Sequence, residues 1–126
     1  MMERPEDVKV TKSLKFAKRI VKLHKYLEGK GIEDMRSQIS KSGTSIAANV
    51  AESVYAQSTA DFISKLSIAR KEANETRMWL ETLRSGDYID QKSFESIMYD
   101  CEEMLKILTS IIATLKKKQR DLGNHT

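Results

Sequence analysis

Few residues in this chain can do chemistry, and their spacing limits which chemistry that is. Glu72 and Glu75 stand three apart, so on a helix both carboxylates share a face and could hold a cation or act as an acid–base pair. Carboxylates at that interval more commonly pair with lysines or satisfy a buried polar network, and that role is the expected one. A ferritin-like metal centre needs a Glu-x-x-His motif on each of two helices. The histidines are His24 and His125, neither in such a motif, so no metal and no cofactor is expected. Cys101, the single cysteine, falls on an apolar stripe without a basic neighbour in sequence, which suits an inert buried thiol. No glycine-rich phosphate loop, Gly-x-Ser-x-Gly or Cys-x-x-Cys occurs, and an enzyme is not expected.

What remains is the chemistry of cations. Lys12, Lys15, Lys18, Arg19, Lys22 and Lys25 fall within an arc of about 140° at 100° per residue, with Tyr26 inside it. No acid interrupts residues 9–25. A second cluster follows at Lys116, Lys117, Lys118 and Arg120. The formal net charge of +4 hides this polarity: residues 1–30 carry +5, 31–60 carry −1, 61–103 carry −4 and 104–126 carry +4. Such faces suit the phosphate backbone of RNA or DNA, the alternative being charge that only keeps the surface solvated.

The elements that must position these residues are helices. A length of 126 residues allows one domain, and one proline with five glycines is too few for the turns of a sheet protein. Residues 1–10 read as an N-terminal extension, 11–120 as a bundle and 121–126 as a frayed tail. The first helix is predicted from Thr11 as N-cap to Glu28, with Phe16, Ile20, Leu23 and Leu27 as its apolar stripe, widened by Leu14 and Val21. The second, Glu33 to Tyr55, carries Ile39, Gly43, Ile46 and Val50 beside a polar seam of Gln38, Ser42, Ser45 and Asn49. Small residues there let a neighbour approach, and the seam should hydrogen-bond an adjacent helix, with Glu75 a candidate partner. The third, capped at Ser58 and ending before Gly86, has a heptad-like core of Phe62, Leu66, Ala69, Ala73, Thr76, Leu80 and Leu83. The fourth, capped at Asp90, repeats Phe94, Met98, Cys101, Leu105, Leu108, Ile112 and Leu115.

Short links make neighbours antiparallel, which gives an all-α, up-down-up-down four-helix bundle. The start of the first helix and the end of the fourth then share a pole, so Lys12 and Lys15 are expected near Lys116 to Arg120. Ile68 and Trp79, and the flank of Ile97, Met104 and Ile111, exceed what one small bundle should bury and are the expected oligomer contacts. One cysteine, no signal-like N-terminus and no apolar run near the ~20 residues of a membrane span point to the cytoplasm.

Two segments resemble a known family. Arg36-Ser-Gln-Ile-Ser-Lys-Ser-Gly-Thr-Ser-Ile-Ala-Ala-Asn-Val-Ala-Glu52 and Leu66-Ser-Ile-Ala-Arg-Lys-Glu-Ala-Asn-Glu-Thr-Arg-Met-Trp-Leu80 resemble signatures of the four-helix-bundle proteins encoded in 23S rRNA intervening sequences, over about residues 10 to 118. The chain is also similar to the accessory protein of diversity-generating retroelements, a basic bundle that works with nucleic acid and a reverse transcriptase. The resemblance implies a ring-shaped homo-oligomer, typically a homopentamer, and carries over Arg36, Ser45, Asn49, Glu52 and Glu75 as motif positions. Ser53 stands where the family usually has glycine after the motif glutamate. The expected function is a non-enzymatic oligomeric bundle that binds RNA or DNA phosphates. The alternative is a protein–protein interaction scaffold without nucleic-acid binding, anchored on a protein partner through Trp79.

Overall fold

Three of the four helices begin where a short polar side chain takes up a free backbone N–H. Asp7 accepts from the Lys9 N–H at 3.2 Å, Ser58 from Asp61 at 3.0 Å and Asp90 from Ser93 at 2.7 Å. The remaining start follows Ile32, without a side-chain cap, and places Glu33 and Asp34 in the first turn, where their charge suits the helix dipole. In the computed structural model, which describes residues 7–123, these starts open α1 (Val8–Tyr26), α2 (Glu33–Ser53), α3 (Thr59–Ser85) and α4 (Gln91–Gly123). The described residues include no strand.

The first cap is Asp7 and not Thr11, so α1 starts four residues earlier than its periodicity suggested. The expected extension falls outside the described residues over 1–6, and the expected tail over 124–126, His125 included. Gly29 and Gly31, both with φ of 77°, turn the chain between α1 and α2 in a region that side chains avoid. Arg36 locks this turn by donating from Nε to the His24 carbonyl at 2.7 Å, an acceptor that the end of α1 leaves unpaired.

The pairings across helices run in opposite directions along the chain, which makes every neighbour antiparallel. Arg19 meets Ser96 and Asp100 while Lys12 meets Glu103; Ser42 meets Thr76 while Glu52 meets Lys65. Each helix packs against two others, in the cyclic order α1, α2, α3, α4, and the diagonal pairs stay apart. Phe16, Ile20, Ile39, Ile46, Val50, Leu66, Leu80, Leu83, Cys101, Leu108 and Ile112 fill the middle. On α3 every expected core position is fully buried except Phe62, which lies at the start of the helix with the Lys9 ammonium 5.4 Å from its ring centre.

α2 closes tightly on both neighbours. A Cβ built on Gly43 would stand 2.6 Å from Ile20 Cγ1, so the glycine is what lets α1 lie this close. On the other side Thr76 Oγ1 is 2.9 Å from Ser42 Oγ, both buried, and 2.8 Å from the Glu72 carbonyl. Ser42 of the polar seam therefore meets Thr76 and not Glu75, whereas Asn49 bonds Ser45 within α2 itself. Ser53 is buried with its hydroxyl donating to the Val50 carbonyl at 2.6 Å as the helix ends.

Two of the expected oligomer contacts are corrected. Ile97 is 6% exposed and Met104 1% exposed, both inside this chain's own core. The apolar arc of α4 is wide because it serves α1 on one flank and α3 on the other, not because it awaits another subunit. α4 also outruns its neighbours. Leu115 is the last half-buried residue among those described, lining a hollow with Ser53, Val54 and Phe62, and residues 116–122 continue the helix as exposed positions.

Candidate nucleic-acid interface

The cations of α1 divide into two groups according to what they face. Lys12 and Arg19 point towards α4: Lys12 Nζ lies 2.7 Å from Glu103 Oε1, and Arg19 bonds Asp100 Oδ2 at 2.7 Å with the Ser96 carbonyl and hydroxyl at 3.1 and 3.0 Å. The bond to Glu103 raises the Lys12 pKa above its ordinary value. These two charges are spent inside the molecule. Lys15, Lys18, Lys22 and Lys25 are exposed, and none pairs with a carboxylate among the described residues. They cover about 15 Å of helix, in a row fixed by rigid backbone rather than a loop.

The α4 cluster does not join this row. Lys12 is level with Glu103, thirteen residues before Lys116, which puts about 20 Å of helix rise between the two groups. Shared polarity of the helix ends does not bring the clusters together, because α4 runs past the start of α1. Lys116, Lys117, Lys118 and Arg120 instead stand on the projecting end of α4.

Between the ion pairs and the turn joining α3 to α4, the α1–α4 seam opens into a cleft of about 340 Å³. Its lining is Arg19, Lys22, Leu23, Tyr26, Ile89, Asp90, Ser93 and Ile97. Tyr26 is 54% exposed, with the Lys30 ammonium 4.5 Å from its ring centre. The Ser93 N–H holds the Asp90 carboxyl below its ordinary pKa, so that residue is an anion at neutral pH. Sequence reading found Lys22 and Tyr26 on the basic arc but missed Ile89, Asp90 and Ser93 as their neighbours. The signal available was Asp90 as a helix cap, which fixes a carboxylate at the start of α4, where antiparallel packing lays it beside the end of α1.

The remaining candidates are architectural or unpaired. Arg36 closes the first turn, also bonding Glu33 at 2.8 Å; Glu52 pairs with Lys65 at 3.2 Å; Asn49 donates to the Ser45 carbonyl at 2.9 Å. Glu72 and Glu75 are half-buried, and no group of three or more metal-ligating side chains is placed to hold an ion among the described residues. Trp79 and Ile111 are half-buried, and Ile68 is 40% exposed. The indole N–H of Trp79 and Nδ1 of His24 are buried without a hydrogen-bond partner among the described residues. Cys101 is sealed against the Ala73 carbonyl at 3.4 Å, and burial pushes its thiol up to about 12. No helix of the described residues is long and apolar enough to cross a membrane.

Comparison with known proteins finds a family and solved structures. The sequence profile of the 23S rRNA-intervening sequence proteins matches residues 6–110. A crystal structure of a protein of unknown function from the S23 ribosomal protein family of Bacteroides thetaiotaomicron is 54% identical, with a TM-score of 0.79, over 82% of this chain and 96% of that one. No curated protein matches.

Proposed function

We infer the function from a fixed starting point: the chain belongs to the family of 23S rRNA-intervening sequence proteins. Within that family we read it as a non-enzymatic, oligomeric bundle of the cytoplasm that binds the phosphate backbone of RNA or DNA through α1. The observation that carries this reading is the row Lys15, Lys18, Lys22 and Lys25, exposed and without a carboxylate partner among the described residues while the two neighbouring cations are neutralised by α4. Charge kept only for solubility has no need of an acid-free row on one rigid face. Side chains that reach only phosphates carry no base information, so binding through them is salt-dependent and weakly selective.

Assembly into a ring, a homopentamer by family resemblance, would present several such rows to one polyanion and raise avidity. The exposed Ile68 on α3, with Trp79 half-buried three turns along the same helix, supports a subunit contact on that helix. The test is a titration of labelled RNA and DNA at two salt concentrations, with sedimentation run in parallel. Changing Lys18, Lys22 and Lys25 together to glutamine should leave helicity and assembly intact and lower the salt slope by about two for a single strand. Equal binding by parent and triple variant, or no binding by the parent at low salt, hands the function to the protein–protein scaffold.

A further inference from the structure

The cleft at the end of the lysine row has a chemistry that the row lacks. Its floor is apolar, supplied by Ile89 and Ile97, while Arg19, Lys22 and Tyr26 stand on the α1 side and Asp90 on the other. A phosphate suits Lys22 but not an apolar floor beside the Asp90 anion. What suits the interior is a flat group with an apolar face and N–H donors on its edge. Arg19 and Tyr26, seven residues and about 10 Å apart along α1, bracket the space with two planar side chains. The Arg19 guanidinium is held in place by Asp100 and Ser96, so its plane is set before any ligand arrives. A volume of about 340 Å³ is at the small end of ligand pockets and admits a ring system rather than a stretch of peptide.

We propose that this cleft takes one unstacked base of a single-stranded nucleic acid whose phosphates follow Lys15, Lys18, Lys22 and Lys25. The inference rests on the phosphate-binding reading and narrows it to single strands. A duplex keeps its bases stacked and paired, whereas a single strand can splay a base onto an aromatic ring or a guanidinium plane. Lys22 belongs to both the row and the cleft and so joins the two contacts. Lys30 now lies against the Tyr26 ring, but an exposed cation–π pair is weaker than base stacking and yields to it. Asp90 accepts N–H groups, which favours bases with an exocyclic amine such as cytosine.

The experiment compares three labelled probes by fluorescence anisotropy at one low salt concentration: a 12-nucleotide oligo-dC, the same length of abasic backbone, and a 12-base-pair duplex. The parent should bind oligo-dC about tenfold more tightly than either other probe. Tyr26→Ala should lower oligo-dC binding to the abasic level without changing the abasic affinity, while Tyr26→Phe keeps the preference. Equal binding of oligo-dC and the abasic strand, or a preference unchanged in Tyr26→Ala, overturns the cleft proposal. If those equal affinities still fall with salt, the phosphate-binding reading stands alone; no binding of any probe overturns both.

Discussion

The two sides of this bundle are built on opposite rules. Where α2 meets α1 and α3, small side chains bring the backbones together: Gly43 lies against Ile20, and Ser42 shares a hydroxyl contact with Thr76. Where α1 meets α4, long charged side chains bridge the gap, and a cleft opens beside them. Small residues close a seam by removing the atoms that would hold it apart. Long ion pairs hold a seam at a distance, leave room for a ligand, and contribute little to stability because solvent screens them. One side of the molecule supplies rigidity and the other supplies surface.

The sharpest way to break this contrast is at Gly43. Replacement by alanine puts a methyl group 2.6 Å from a fully buried Ile20 side chain, and overpacking of this kind costs about 1–3 kcal/mol. Three Ile20 atoms within 3.0 Å put the cost in the upper part of that range, about 2–3 kcal/mol. Better helix propensity returns about 1 kcal/mol, so urea denaturation should show a net loss of about 1–2 kcal/mol. Unchanged or increased stability would mean that this seam has slack. Next comes Thr76→Val, which deprives the buried Ser42 hydroxyl of its cross-helix partner and should cost about 1 kcal/mol. Adding Ser42→Ala should cost less than the sum of the two single changes; strict additivity would deny the coupling. The smallest effect belongs to the open side. Asp100→Asn removes the Arg19 ion pair and should lower stability by less than about 1 kcal/mol, since both partners are about one-third exposed. The same change removes an anion beside the basic row and should tighten polyanion binding at low salt.

The closed side was the more legible in sequence. Ala69, Ala73, Thr76, Leu80 and Leu83 were placed in the core by spacing alone, because burial within one helix follows from its own period. The small residues of α2 likewise announced a close approach. A helical wheel, however, carries no coordinate along the axis of a neighbouring helix. That Lys12 is level with Glu103, ninety-one residues away, depends on where each helix starts, and α1 starts at Asp7 rather than Thr11. The same missing coordinate misplaced the α4 cluster and concealed the cleft, whose walls come from α1, the α3–α4 turn and α4. Ile97 and Met104 were misread for a related reason: the width of an apolar arc does not say how many neighbours cover it.

The projecting end of α4 has a consequence of another kind. Residues 116–122 extend a helix whose nucleation is already secured by the bundle, so each further turn needs only propagation. They are exposed among the described residues, and three consecutive lysines repel one another even as they suit the terminal carbonyls. This segment therefore sits close to the balance between helix and coil, and added salt or a polyanion shifts it towards helix by relieving the repulsion. Its backbone amides should exchange with solvent hydrogens far faster than those at Leu108, at a rate that tracks the surrounding ionic atmosphere, which makes the overhang an internal gauge of electrolyte at the protein surface.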